Sequence, residues 1–241
     1  MRKILFFGNS HLAALKLGWD TLPARPDWKV QFFGSHGGGV VGFKPGRDGA
    51  LVPDSPRLSR KLQALWGFSE VRPDDFDIVC TVGLGGRAVT FAGAVRRNAA
   101  LASPDELKAA ARRSVSDSLA GQIVATLRQI TSRPVIVIQT PAPSLDARES
   151  RYSSLNGISP DRAQALSDAM LWGLRKMDGV DDVLPQPEET KAGPLFTKPE
   201  YSRGSVTLAV TPEEHADDDH GHMNGAYGIK VLQALDRFVR H

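Results

Sequence analysis

Short apolar runs alternate along the chain with longer stretches in which apolar residues recur every three or four positions. The short runs predict buried strands, because they are apolar and end at glycine or proline. They are KILFFG (3–8), WKVQFFG (28–34), DIVCTVG (77–83), PVIVIQTPAP (134–143) and the shorter DDVLPQP (181–187). A further segment, SVTLAV (205–210), fits either an edge strand or a simply extended piece.

The longer periodic stretches predict amphipathic helices. They cover residues 10–20, 58–67, 103–130, 159–177 and 225–239. The stretch over 103–130 begins with Ser103 as the N-cap, Pro104 at the first helical position and Glu106 as the partner in a capping box. It therefore predicts one long helix, softened in the middle by Gly121.

Apolar strands that alternate with helices predict an α/β fold with a parallel sheet covered on both faces. The 241 residues suit one domain, and no linker-like composition divides them, so we predict a single domain over 1–241. In such sheets ligands bind where the strands end at their carboxyl edge. The segments GNSH (8–11), GSHGGG (34–39), GLGG (83–86) and TPAP (140–143) should therefore share one edge.

Composition narrows the class of protein. The chain is 41% apolar and 24% charged, and its net charge of +3 is spread without a long Lys/Arg block, so we expect no nucleic-acid partner. The single cysteine, Cys80, lies in an apolar run and predicts a buried, inert thiol. The apolar runs are too short for a signal peptide or a membrane span, so we expect a cytoplasmic location.

Ser10 stands on the turn GNSH after the first predicted strand. A serine there either caps the next helix or acts as a nucleophile, and a nucleophile needs a base. Just before the last predicted helix, Asp219 and His222 form the pattern D-x-x-H. This spacing can bring the carboxylate to Nδ1 of the imidazole and leave Nε2 free to face a serine. The two motifs together predict a Ser-His-Asp triad.

These motifs, in this order, resemble the SGNH (GDSL-type) hydrolases. The resemblance runs from the Gly-x-Ser turn after the first strand, through the glycine loop after the second, to D-x-x-H before the final helix. It implies a flavodoxin-like, three-layer α/β/α sandwich with about five parallel strands. It also implies serine esterase or related acyl-transfer chemistry that needs no metal and no organic cofactor.

The resemblance assigns roles by position. Ser10 matches the nucleophile, and Asp219 and His222 match the acid and the base. The oxyanion glycine of the family follows its second strand, where Gly37 is the best match. Gly38 or Gly39 would serve if the turn is shifted, and a plain turn without a role in the site is the alternative.

The chain departs from the family at two places. Asn9 stands where the family has Asp before its serine, and Gly85 in GLGG replaces the asparagine of the family's Gly-x-Asn-Asp block. Losing one oxyanion donor typically costs about 10²–10³ in rate. The replacements that sequence leaves open are the backbone N–H of Gly85 or Gly86 and the side chains of Arg87 and Asn9.

Two histidine features have alternatives. His11 either packs within the first helix or lines the site. The His and Asp side chains between His215 and His222 offer ligands for zinc or manganese. No HExxH motif or cysteine pair accompanies them, so we predict no metal site.

The sequence therefore predicts an esterase or deacylase that acts on an ester, such as an O-acyl group of a carbohydrate or small molecule, through an acyl-enzyme. One alternative is a weakly active or inactive carbohydrate- or acyl-binding protein of the same fold, which the missing asparagine favours. Another is an acyltransferase that uses the same triad. The substrate and the oligomeric state do not follow from the sequence.

Overall fold

The strands of the molecule are short and mostly apolar. The structure is a computed structural model that describes residues 1–96 and 103–240. The strands within these ranges are β1 (Arg2–Gly8), β2 (Trp28–Gly34), β3 (Phe43–Pro45), β4 (Leu51–Pro53), β5 (Ile78–Val82), β6 (Val135–Ile138) and β7 (Asp182–Leu184).

The helices begin mostly at polar caps or prolines. Those described are α1 (Leu12–Thr21), α2 (Pro56–Trp66), α3 (Ala88–Arg96), α4 (Pro104–Ser116), α5 (Leu119–Arg128), α6 (Ala147–Arg151), α7 (Pro160–Arg175) and α8 (Gly225–Val239). The predicted capping box at Ser103 and Glu106 is confirmed, and Ser159 caps α7 in the same way through its hydroxyl. Within the described ranges, none of the helices combines the length and the apolarity needed to cross a membrane.

Five strands form one parallel sheet in the order β2-β1-β5-β6-β7. When the strands of this sheet are counted alone, the order is 2-1-3-4-5, which is the flavodoxin-like order. The register places Gly8, at the end of β1, beside Gly34 of β2 and Val82 of β5. The predicted α/β fold with five parallel strands is confirmed, and the carboxyl ends of its central strands meet at one edge.

The two faces of the sheet are covered by different helices. Along β1, Ile4 and Phe6 belong to one buried cluster, and Leu5 and Phe7 belong to the other. The first cluster is completed by α1 and α8, and the second by α2, α3, α4, α5 and α7. Alternate residues of each strand therefore face opposite cores, as expected for a sheet with helices on both sides.

Cys80 lies at the centre of β5 and belongs to the core under α1 and α8. Its side chain is fully buried, and this burial raises the pKa of the thiol. The cysteine is therefore a protonated core residue, as its apolar surroundings in the sequence predict.

Helices α1 and α8 touch backbone to backbone. A side-chain carbon added at Gly228 would lie 1.9 Å from the carbonyl oxygen of Ala14, and one added at Gly18 would lie 2.6 Å from the backbone of Gly228. Only glycine allows this separation. Because Ser10 precedes α1 and His222 precedes α8, the contact holds two distant segments of the chain side by side.

The predicted helix over 103–130 is wrong in one respect, because the structure divides it into α4 and α5. The Ser118 hydroxyl donates to the Val115 carbonyl (2.6 Å) and accepts from the Ala120 N–H (3.1 Å), which starts a new helix. Val115 and Ile123 lie in the same core on either side of the break. The apolar period therefore continues across it and conceals it.

Two further features differ from the sequence predictions, and the structure decides between the two interpretations of 205–210. Strands β3 and β4 form an antiparallel hairpin within a region rich in proline and glycine. Each has only three residues, which is too short to show an alternation of apolar and polar positions. Helix α3 follows the glycines of GLGG and is not predicted. The segment 205–210 forms no strand and makes one isolated bridge, between Val206 and Glu214.

Candidate active site

Ser10 lies on a tight turn between β1 and α1. The Ala13 N–H donates to the Ser10 carbonyl (3.1 Å), and α1 has no side-chain cap. The Ser10 hydroxyl is instead directed at the loop before α8, where its Oγ lies 2.8 Å from Nε2 of His222. The hydroxyl is thus free of the capping role that a serine at this position often takes.

The loop before α8 is organised by Asn224 and Asp219. Asn224 caps α8 by accepting from the Tyr227 N–H (3.1 Å), and its amide donates to the carbonyls of Glu200 and Arg203 (2.8 Å each). Oδ1 of Asp219 accepts from the backbone N–H of His222 (3.2 Å). These bonds form a tight turn that brings the Asp219 side chain alongside the His222 ring.

The orientation of the His222 ring follows from this turn. Oδ2 of Asp219 lies 2.8 Å from Nδ1 of His222. A carboxylate at this distance favours the tautomer with the proton on Nδ1, which leaves the lone pair of Nε2 facing the Ser10 hydroxyl. The structure therefore brings Ser10, His222 and Asp219 into one hydrogen-bonded row.

Asp219 is ionised over the whole neutral range. Partial burial by itself would raise its pKa, but hydrogen bonds from the His222 side chain and the Gly221 N–H outweigh this effect. Together with the nearby imidazoles they lower the pKa of Asp219 to about 2. A fixed negative charge is thus available to stabilise a positive charge on His222.

His11 is buried beside this row, and its ring centre lies 5.2 Å from that of His222. Burial, reinforced by the charge of Arg87 and by the neighbouring His222, lowers the pKa of His11 well below its usual value. Nε2 of His11 accepts from Nη2 of Arg87 (2.9 Å). The ring is neutral and its Nε2 acceptor is occupied, and His11 is among the residues that line the cavity beside His222.

Arg87 joins the two segments that carry the row. Its Nη2 donates both to His11, next to Ser10, and to the carbonyl of Gly221 (2.9 Å), next to His222. Burial lowers the pKa of Arg87 from its usual high value. The guanidinium still remains charged, because even a substantial shift leaves it protonated near neutral pH.

The loop GLGG after β5 adopts a backbone that requires glycine. Gly83, Gly85 and Gly86 have φ angles of +73°, +123° and +78°. A side-chain carbon at Gly83 would also lie 2.2 Å from Oδ1 of Asn9. An asparagine at position 85, which the sequence resemblance predicts, would thus be strained on this backbone.

Two of the candidate oxyanion donors already have partners. The Gly85 N–H donates to Oγ1 of Thr140 (3.1 Å), and that hydroxyl donates to the Gly85 carbonyl (2.7 Å). The Asn9 amide donates to the Gly83 carbonyl, and Oδ1 of Asn9 accepts from the His11 N–H (3.1 Å). In the part of the chain that the structure describes, the backbone N–H of Ser10 donates no hydrogen bond.

A cavity of about 900 Å³ opens beside His222 at the carboxyl ends of β1, β5 and β6. Asn9, Gly85 and Arg87 line it, as do Thr140 and the loop from His215 to His222. Neither Ser10 nor Gly37 is among the residues that line the cavity: Ser10 adjoins it through its contact with His222, and Gly37 lies in a 3₁₀ turn (Gly37–Gly42) with a φ angle of +59°. The structure thus brings three of the four candidate oxyanion or substrate residues to this cavity.

His215, Asp219 and His222 could in principle hold a metal, because one ligand atom of each lies within 4.8 Å of the others. The rings of His215 and His222 are stacked, with centres 4.2 Å apart and planes 7° apart. A metal ion lies in the plane of each imidazole ring that binds it. The planes of two stacked rings are nearly parallel and separate, so one ion cannot lie in both. The arrangement therefore suits a carboxylate shared by two imidazoles better than a bound ion.

Sequence reasoning misses two residues of the site. Thr140 is the first residue of the strand-end segment TPAP, and its contact with Gly85 is visible only in the structure. His215 is considered from the sequence only as a metal ligand, because its stacking on His222 depends on the path of the loop. The position of each follows from tertiary structure.

Comparisons with known proteins identify no family. No protein-family model matches the sequence, and no curated protein matches it. A lipase from a goat rumen metagenome is similar in structure, with 9% identity, 98% of this chain and 97% of that chain covered, and a TM-score of 0.46. An acetylxylan esterase from Geobacillus stearothermophilus shows 14% identity, coverage of 98% and 93%, and a TM-score of 0.35. Similarity at this level assigns no reaction to the present chain.

Proposed function

We propose that the protein is a serine ester hydrolase in which Ser10 is the nucleophile, His222 the base and Asp219 the carboxylate that orients it. One observation carries the proposal: Ser10 Oγ, both ring nitrogens of His222 and Asp219 Oδ2 form a continuous row with two contacts of 2.8 Å. The segments that supply them are 212 residues apart in sequence. This is the geometry that activates a serine hydroxyl.

The reaction follows from the row. The Ser10 oxygen attacks the ester carbonyl while Nε2 of His222 accepts the hydroxyl proton, and Asp219 stabilises the imidazolium. The tetrahedral intermediate collapses, and His222 returns the proton to the leaving alcohol. Water, deprotonated by His222, then attacks the acyl-enzyme and releases the acid and free Ser10.

The negative oxygen of the intermediate needs donors. We assign the Ser10 N–H to this task, because it has no partner among the described residues and belongs to the attacking residue. Gly86 and Arg87 supply the remaining donors in our proposal, because the Gly86 N–H has no partner among the described residues and Arg87 keeps N–H groups besides the Nη2 that binds His11 and Gly221. Gly37, which the family resemblance assigns here, stays a prediction.

The order of motifs supports an SGNH-type enzyme, and the cavity supports a polar ester as the substrate. Polar residues such as Thr140, Arg87 and Arg151 line it together with apolar ones such as Phe91 and Met170. Such a lining suits an acylated carbohydrate or another small polar ester. The proposed reaction uses no metal and no organic cofactor.

A second candidate is a binding protein of the same fold with little or no activity. The observation that favours it is the loss of the asparagine donor at Gly85, whose φ of +123° excludes an easy return to the family's residue. An acyltransferase would use the same row and exclude water, and product analysis with an added alcohol separates it from a hydrolase.

The test compares the wild type with Ser10→Ala, using p-nitrophenyl acetate turnover and labelling by a fluorophosphonate mapped by mass spectrometry. We expect label on Ser10 and a loss of turnover of about 10⁴-fold or more in Ser10→Ala. Ser132→Ala is the control, because Ser132 is exposed and lies just before β6, at the opposite edge of the sheet from Ser10. Equal turnover in wild type and Ser10→Ala would refute the proposal.

A further inference from the structure

His215 is a second histidine at the candidate active site, four residues before Asp219. Its backbone N–H donates to the carbonyl of Ser205 (2.8 Å), and Ser205 is buried. Its side chain is only 16% exposed. The backbone of His215 is therefore bound to the 205–214 segment. This bond does not depend on the turn that positions Asp219.

The side chain of His215 makes two contacts with the proposed catalytic row. Nδ1 lies 3.1 Å from Oδ2 of Asp219, the same oxygen that lies 2.8 Å from Nδ1 of His222. Its ring is also parallel to the His222 ring, with centres 4.2 Å apart. The other carboxylate oxygen of Asp219 accepts from the N–H groups of Gly221 and His222. Hydrogen bonds from these N–H groups and from the His222 ring fix the carboxylate, and Nδ1 of His215 lies against the oxygen that the His222 ring uses.

The His215 ring is neutral in this setting. Burial and the adjacent His222 lower its pKa, and these effects outweigh the opposing influence of Asp219 and the Val206 backbone. A neutral ring can donate its Nδ1 proton to Asp219. It also places no positive charge against His222 at the moment when His222 takes the proton of Ser10.

We propose that His215 is a positioning residue, which shares the Asp219 carboxylate with His222 and covers one face of the His222 ring so that Nε2 stays directed at Ser10. This inference rests on the proposed function, because it names the partner of the proposed base. His215 touches no reacting atom. It prevents rotation of the imidazole and keeps water from the Asp219–His222 hydrogen bond.

Three substitutions separate the two contacts. His215→Asn keeps an N–H donor near the position of Nδ1 and loses the stacked ring. His215→Phe keeps the ring and loses the donor, and His215→Ala loses both. The readouts are the second-order rate of fluorophosphonate labelling at Ser10, the kcat and KM for p-nitrophenyl acetate, and the downfield proton resonance of the His222 Nδ1–H in ¹⁵N-histidine-labelled protein.

We expect His215→Ala to slow labelling and lower kcat about tenfold, with KM nearly unchanged, because misplacement of a catalytic group lowers the rate of the chemical step. The Nδ1–H resonance should be lost through exchange with water. Asn and Phe should each restore part of the rate, and the resonance should return in at least one of them. General loss of structure would not give this partial recovery.

Wild-type labelling rates and an unchanged resonance in His215→Ala would overturn the inference. If that variant does not fold, wild-type rates in both His215→Asn and His215→Phe would overturn it equally. Absence of label on Ser10 in the wild type would overturn the proposed function instead. In that case the resonance would still report whether His215 protects the His222–Asp219 contact.

Discussion

Two regions of the candidate site differ in how they are built. The first, the relay region, consists of the side chains of Ser10, His222 and Asp219, which form a row with two contacts of 2.8 Å. The oxyanion region, Gly83 to Arg87, consists mainly of backbone, with three glycines at positive φ. The first region contains every residue that the resemblance to SGNH hydrolases predicts for it, whereas the second has Gly85 where the resemblance predicts an asparagine.

The difference shows which step of the proposed chemistry can be carried out by other groups. Proton transfer along the proposed row needs a hydroxyl, an imidazole and a carboxylate that are held in line at hydrogen-bond distance. A negative oxygen needs only N–H donors at the correct distance, and backbone or guanidinium groups supply these as well as an amide side chain does. The Gly83–Arg87 loop is thus free to take another shape around Thr140.

The largest effect should come from separating the helices that hold the relay region together. In Gly228→Ala the added carbon would lie 1.9 Å from the Ala14 carbonyl, so α1 and α8 must move apart. We expect a loss of about 3 kcal/mol in the free energy of unfolding. Fluorophosphonate labelling of Ser10 should slow at least about tenfold, since α1 and α8 follow Ser10 and His222.

Urea unfolding and the labelling rate measure these changes. Ala226→Ser is the matched control, because it adds one atom at an exposed position of α8. Gly228→Ala with wild-type stability and labelling would show that the contact between the two helices does not hold the relay region.

A smaller effect is expected from the charge of Asp219. Its pKa of about 2 lies below the value near 4 of an unfolded aspartate, so folding is favoured by the ionised form. This contribution is complete above pH 4 and is lost as the pH falls through 4 toward 2. It amounts to about 2 kcal/mol, since the side chain is 24% exposed and largely shielded from solvent.

Urea unfolding of wild type and Asp219→Asn between pH 5 and pH 2 measures this contribution. The stability of the wild type should fall by about 2 kcal/mol more than that of the variant over this range. Parallel curves for the two proteins would mean that the hydrogen bonds to Asp219 do not stabilise the fold.

The smallest effect concerns the oxyanion region, where introducing the asparagine that the sequence resemblance predicts should not increase the activity. Gly85→Asn and Gly85→Ala both place a side chain at a φ of +123°, and we expect each to cost about 1 kcal/mol in stability. Thermal unfolding and kcat/KM for p-nitrophenyl acetate compare the two variants. A tenfold higher kcat/KM in the asparagine variant than in the alanine variant would show that the loop lacks a donor after all.

The sequence predicts most of the sheet and the terminal motifs. Apolar runs locate all five strands of the sheet, and the capping box at Ser103 locates the start of α4, because these features depend on local pattern. The pairing of Ser10 with His222 is expected from the common edge of parallel strands and from the resemblance. The reason why the two meet, the Gly18–Gly228 contact, becomes visible only in the structure.

The parts that sequence does not predict depend on interactions between distant residues. The break at Ser118 is concealed by an uninterrupted apolar period. The tie from Arg87 to His11 and Gly221 joins three separate segments, and no local pattern indicates it. The same holds for His215, whose role depends on which face of the His222 ring its loop covers.

The position of Cys80 has a practical consequence. Because the only cysteine of the chain is fully buried and its thiol stays protonated, thiol reagents should find no reactive native group in the folded protein. A single cysteine introduced at an exposed position would thus carry a fluorophore or spin label at one defined point. Distances and motions around the cavity could then be followed in solution without first removing any native residue.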